Sequence, residues 1–172
     1  ADGVGAKFVD KTNLYHLEGS YNFSNQIKFA DFVVGANYRI YDLNSEASLF
    51  ATDENGNEFN IREYGAYAQG SKKLINDKFK LTASVRYDKN ENFAGQFSPR
   101  VSGVFTQGNH NFRASYQTGF RIPTTQDQYL DLFTPQARLI GGLPLLRDKY
   151  NLTTGPVFTL QDVLSGNFTN PY

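Results

Sequence analysis

Single alternation of apolar and polar residues runs along most of the chain from Tyr15 to Arg121, broken by polar turns. The cleanest stretch sets Phe79, Leu81, Ala83, Val85 and Tyr87 against Lys80, Thr82, Ser84, Arg86 and Asp88. Side chains on a strand point alternately to opposite faces, so such a segment is a β-strand with one greasy and one polar face. The same rhythm places Tyr15, Leu17, Gly19, Tyr21 and Phe23 against His16, Glu18, Ser20 and Asn22. Phe32, Val34, Ala36, Tyr38 and Ile40 likewise oppose Val33, Gly35, Asn37, Arg39 and Tyr41. It recurs as Tyr64, Ala66 and Ala68 against Glu63, Gly65, Tyr67 and Gln69. Then Phe97, Pro99, Val101, Gly103 and Phe105 oppose Ser98, Arg100, Ser102, Val104 and Thr106. After a tight polar turn at 107–110, the return leg sets Phe112, Ala114, Tyr116 and Phe120 against Arg113, Ser115, Gln117, Gly119 and Arg121. These runs predict about six antiparallel strands. Ile27 and Phe29 share parity with Asp31, which predicts a bulge or a longer turn at 28–31.

Alternation alone does not say which solvent the greasy face meets, because a soluble sandwich strand alternates too. Two further patterns point to lipid. The connections alternate in length: 24–26, 75–77 and 107–110 are short, whereas 42–60, 89–95 and the stretch after Pro123 are longer. Outer-membrane barrels combine short periplasmic turns with long extracellular loops, and their tilted strands need about 9–11 residues to cross. The rings are also sorted along the greasy face. Phe23, Phe79, Phe105 and Phe112 gather at the short-turn end and Tyr15, Tyr38, Tyr87 and Phe97 at the long-loop end. Ala36, Ala83, Val85, Val101 and Ala114 lie between. Aromatic rings settle at both membrane interfaces, and a soluble sheet has no reason to sort them so. The expected class is all-β, an antiparallel up-and-down transmembrane β-barrel of the outer membrane.

Composition narrows the field mainly by what is missing. The 172 residues carry 17 Lys+Arg and 17 Asp+Glu, so no net field attracts nucleic acid and no such partner is expected. Cysteine is absent, which excludes disulfide frameworks and thiolate metal sites. With no methionine and no leader pattern, the chain reads as an internal piece of a longer protein. No apolar run approaches the roughly 20 residues of a membrane helix. Asp53, Asn55 and Asn57 lie around Gly56 like a calcium loop, but the glycine is misplaced and the bidentate glutamate missing, so a loop tip is expected. His16 and His110 stand apart from cysteines and clustered carboxylates, so neither metal nor cofactor is expected. No nucleophile, base and orienting acid occur at a recognisable spacing, and no enzymatic activity is expected.

Three stretches carry a family resemblance: DFVVGANYRIYDLNSEASLFATD from Asp31, EYGAYAQGSKKLINDKFKLTASVRYDKNENFAGQFSPRVSGVF from Glu63, and NFRASYQTGFRIPTTQDQYL from Asn111. With SPRV, RASY and GFRIPT in that order, the chain resembles the barrel of TonB-dependent outer-membrane receptors. It looks particularly like the SusC-like Bacteroidota branch, which carries a carboxypeptidase-regulatory-like domain ahead of its plug. The resemblance implies active import of a scarce ligand (siderophore, vitamin, glycan or peptide) through a plugged barrel, driven through TonB. It implies a barrel of about 22 strands. This chain, 1–172, would then be part of the barrel, with 124–172 a long extracellular loop region and the plug domain absent from it. The implied partners are outer-membrane lipid, the TonB complex acting through the missing plug, a surface lipoprotein lid, and a small-molecule or oligomeric ligand. Two other classes share such strands and stay open: a passive porin-type channel, and a soluble or structural β-sheet binding module.

The inward-facing polar rows collect Arg39, Arg86, Arg100, Arg113, Arg121 and Lys80 against Glu18, Glu63 and Asp88. A water-filled or plug-filled lumen needs polar lining, and charges there solvate or pair across strands. The family pattern adds a sharper reading, in which Glu18 and Glu63 bind plug arginines while barrel arginines bind plug acids. Beyond Pro123, residues 124–127 read as a helix start, with Tyr129, Leu130, Leu132 and Phe133 as a short amphipathic face. Tyr129, Phe133 and Tyr150 are the ligand-side candidates, and Phe158, Phe168 and Tyr172 are further rings for a ligand or lid.

Overall fold

The computed structural model describes residues 8–134, 137–156 and 158–169, so Tyr172 lies outside the described residues. Every alternating run becomes a strand: β1 Asn13–Asn22, β2 Asp31–Asp42, β3 Asn60–Leu74, β4 Phe79–Asn90, β5 Gln96–Gln107 and β6 His110–Gln117. They form one six-stranded antiparallel sheet in chain order. Its register keeps like faces together. One apolar row runs Tyr21, Val34, Ala68, Val85, Pro99 across five strands, and one polar row runs His16, Arg39, Glu63, Asn90 across four. A slip of one residue would turn the polar side chains of a strand onto the apolar face, so parity pins the pairing.

The apolar face is exposed, and along β4 it is more so than the polar face. Along β4, Leu81, Ala83 and Val85 are exposed while Thr82, Ser84 and Arg86 between them are half-buried. Leu17 is 74% exposed and Phe97 68%. A soluble sheet does the reverse, because apolar surface left in water forgoes the main driving force of folding. The rings form two girdles on this face. At the short-turn end Phe79, Phe105 and Phe112 stand directly opposite one another, and Phe23 packs on Tyr21 at 4.6 Å and on Phe32 at 6.3 Å between centroids. At the other end Tyr87 packs on Tyr64 at 6.5 Å and on Phe97 at 4.8 Å. No described helix is long and apolar enough to cross a membrane, which leaves crossing by strands untouched.

The connections depart from simple alternation in length. The β1–β2 connection spans 23–30, longer than 24–26, because the irregularity expected at 28–31 keeps the chain out of the ladder until Asp31. The β4–β5 connection spans only 91–95, since Glu91 donates to the Arg62 carbonyl, Asn90 accepts from the Asn92 amide, and Lys89 reaches the Phe93 carbonyl. The β5–β6 turn is 108–109, with Gly108 at φ 56°, where glycine carries no steric penalty. In the β3–β4 turn three consecutive residues, Ile75, Asn76 and Asp77, hold φ between 52° and 65°. That conformation is costly for the β-branched Ile75.

β6 stops at Gln117 rather than continuing to Arg121. Thr118 donates to the Pro99 carbonyl at 3.1 Å, but Pro99 has no N–H to return, so the ladder ends there.

The chain divides into two compact units, of which the sheet, Lys11–Asn44 and Phe59–Ile122, is one. The other draws on Ala1–Asp10, Ser45–Glu58 and Pro123–Tyr172. Its described residues include α1 Thr125–Tyr129, β7 Asp131–Phe133, β8 Arg138–Ile140, α2 Pro144–Lys149 and α3 Leu160–Ser165. Thr124 and Asp127 close a reciprocal capping box on α1, as the helix start at 124–127 predicts. The helix ends at Tyr129 instead of extending to Phe133, because 129–131 pairs with 49–51. Ala51 donates to the Tyr129 carbonyl and Asp131 to that of Leu49, both at 2.8 Å. Leu49, Phe50, Ala51, Leu143 and Leu146 are the buried apolar residues beside Tyr129 in this unit. A Cβ at Gly141 would lie 2.3 Å from the Gln128 carbonyl oxygen, so only glycine allows that approach.

Candidate functional site

The polar face of the sheet brings most of the predicted charged residues together, and the register sorts them into two halves. Toward the long-loop end a chain of contacts crosses four strands. Asn90 on β4 donates to Glu63 on β3 at 2.9 Å, and Tyr41 on β2 reaches the same carboxylate at 3.4 Å. Arg39 lies 3.9 Å from Glu63 and donates through Nε to His16 Nδ1 at 2.9 Å. His16 Nε2 stands 3.4 Å from Glu18. Because Nδ1 accepts from Arg39, this bonding assigns the ring proton to Nε2, where it points at the Glu18 carboxylate. Arg86 donates to both oxygens of Asp88 at 2.8 and 2.9 Å.

Two strand glycines make room for this network. A Cβ at Gly65 would lie 2.6 Å from Asp88 Oδ1, 3.0 Å from Asn37 Oδ1 and 3.2 Å from Arg86 Nη2. At Gly35 it would sit 2.5 Å from the Tyr67 ring, which therefore lies over the backbone there. Sequence reasoning passed over both. Glycine inside an alternating strand is the signal, since it marks close approach of another group.

Toward the short-turn end the face changes character. Arg100 and Arg113 line a shallow concavity with Lys80, Thr82, Ser84 and Ser102, and make no ion pair among the described residues. Arg121 does not join the face, because it follows the end of β6 in a segment without regular structure.

A polar face carrying charge, an exposed apolar face and rings sorted into two girdles are the pattern of a membrane barrel wall. The model of one family, TonB dependent receptor-like, beta-barrel, matches residues 2–161. This chain belongs to that family. It is accordingly an outer-membrane protein of the TonB-dependent receptor and transporter class. No curated protein and no solved structure matches the receptor's chain.

In the receptor's loop unit the three ligand-side candidates fall in different environments. Tyr129 is 4% exposed, so its ring is loop core and presents little surface to a ligand. Phe133 is 67% exposed. Tyr150 donates its hydroxyl to Asp131 at 2.8 Å, joined there by Arg138 at 2.7 Å and Lys149 at 3.1 Å. Burial pushes the Asp131 carboxyl up, but hydrogen bonds from Arg138, Tyr150 and Lys149 outweigh it and hold the pKa below its ordinary value. Phe158 packs edge-on against Phe168 at 5.3 Å. Asp53 spends its carboxylate on the amides of Asn55 and Asn57, both at 2.8 Å, as a loop tip does. Among the described residues no group of His and carboxylates is arranged to hold a metal.

Proposed function

We propose that the receptor imports a scarce siderophore, vitamin, glycan or peptide through a plugged barrel of about 22 strands, in the manner of the SusC-like branch. In this reading the short-turn end is periplasmic, 124–172 lies on the extracellular side, and a surface lipoprotein closes over the ligand. The plug and its TonB contact lie on polypeptide outside this chain. The supporting observation is the charge network on the polar face, cross-strand through Asn90–Glu63 and Arg39–His16 and within β4 through Arg86–Asp88, which gives a lumen wall fixed carboxylates and guanidinium groups at defined register.

Glu18 is the stronger plug contact of the two carboxylates. Its side chain is half exposed and among the described residues makes its one ion pair with His16 at 3.4 Å, so it keeps acceptor capacity for a plug arginine. Glu63 is already engaged by Asn90, Tyr41 and Arg39, and holds Arg39 in place. Arg86 is committed to Asp88, whereas Arg100 and Arg113 are available to anions.

Uptake by cells with and without TonB tests the transport reading, and energy-independent swelling of liposomes would instead mark a passive porin. Replacing Glu18→Gln together with Glu63→Gln loosens the plug and raises passive entry of large antibiotics. Unchanged permeability in that double variant rejects the plug assignment.

A further inference from the structure

On the short-turn half of the polar face, cations face one another with no acid between them. Lys73 on β3 stands directly opposite Lys80 on β4, and the same row ends at Arg113 on β6. Two rows along, Ser84 stands opposite Arg100. Like charges directly opposite on a sheet destabilise it. At the other end of the same face each inward arginine of β2 and β4 has its carboxylate, Arg39 with Glu63 and Arg86 with Asp88. Asp31 and Asp77, the acids flanking the patch, make no ion pair with it among the described residues.

The space matches the charge. Lys80, Arg100 and Arg113 share a concavity of about 290 Å³ with the hydroxyls of Thr82, Ser84 and Ser102. At about 30 Å³ per water, that is room for on the order of ten waters, more than a single chloride needs. Ammonium, guanidinium and hydroxyl donors without a carboxylate acceptor are the chemistry that holds carboxylate or phosphate oxygens.

We propose that this patch is a binding station for a small polyanion, a di- or tricarboxylate or a phosphate compound, and that the receptor's cargo is therefore anionic. The inference rests on the import reading above. Two oxyanions spaced across the concavity engage Arg100 and Arg113 from one molecule, and Lys80 on β4 supplies a third cation to the same concavity.

Calorimetric titration of the intact protein in detergent with citrate and with pyrophosphate tests the station. At least one should bind at low salt and weaken as ionic strength rises, as exposed charge contacts do. The triple variant Lys80→Gln, Arg100→Gln, Arg113→Gln should bind at least about tenfold more weakly, since each lost contact was charge-assisted. Ser84→Glu keeps all cations and supplies the missing carboxylate opposite Arg100, so it should weaken binding comparably even if the triple variant does not fold. Arg62→Gln, on the apolar face, should leave binding unchanged. Failure of both probes to bind, or binding indifferent to Ser84→Glu, overturns the proposal. So does binding of a synthetic acidic peptide without either small anion, which would assign the cations to a polypeptide partner. TonB-independent uptake with anion binding intact would remove the import reading and leave the station standing.

Discussion

Ala83→Arg probes the claim that lipid is the solvent of the apolar rows. Ala83 sits on β4 midway in sequence between Phe79 and Tyr87, one from each aromatic girdle. At about 3.3 Å per residue the two rings are about 26 Å apart along the strand, or about 20 Å along the membrane normal at a tilt near 40°. That spans most of an apolar band about 25 Å tall and puts Ala83 near its centre, where an arginine costs about 2–4 kcal/mol. The folded-to-unfolded ratio then falls on the order of 30- to 700-fold. Ser84→Arg, one residue on, faces Gln69 and Arg100 across the polar face. It meets like-charge repulsion of only about 0.2–1 kcal/mol. Denaturant titration of the intact protein refolded into lipid vesicles, followed by circular dichroism, compares the two. Equal costs, or a larger cost for Ser84→Arg, would refute the assignment of faces.

Other substitutions test the network, the loop unit and the turn. Gly65→Ala drives a methyl into Asp88, Asn37 and the Arg86 side chain and should cost about 1–3 kcal/mol, whereas Gly19→Ala, with nothing within 4 Å of its Cβ, should change stability by less than about 0.5 kcal/mol. Tyr150→Phe removes a hydroxyl from the buried Asp131 carboxylate and should cost the loop unit about 1–2 kcal/mol, read as faster limited proteolysis there. Because Asp131 titrates below its ordinary value, its contribution is complete above the unfolded-state pKa of about 3.9 and is lost only as pH falls through the lower folded value. Wild-type proteolysis should therefore quicken below about pH 4 and not between pH 5 and 7. Ile75→Gly relieves a β-branched residue at φ 54° and should stabilise the sheet by about 1 kcal/mol in the same vesicle titration.

Much of the charged site was visible from parity alone. Arg39, Arg86, Arg100 and Arg113 share one face with Glu18 and Glu63 because each lies on the polar parity of its strand. Which of them are satisfied was not visible. Glu63 and Asn90 are 27 residues apart in sequence, and only the register of β3 on β4 brings them within 2.9 Å. His16 and Asn90 drew no attention as network members because neither carries a motif, and their role depends on neighbours on other strands.

The residues by themselves determined the strands, their two faces and the aromatic girdles. These follow from a period of two and from interfacial preference, both of which act within a single segment. Tertiary structure decided where segments stop and who pairs with whom. Pro99 of one strand ends the next at Gln117, and pairing with 49–51 halts α1 at Tyr129. It also divided one polar face into a neutralised half and a cationic half: Arg86 and Asp88 are neighbours on one strand, but Arg39 meets Glu63, and Lys73 meets Lys80, only through the register of separate strands.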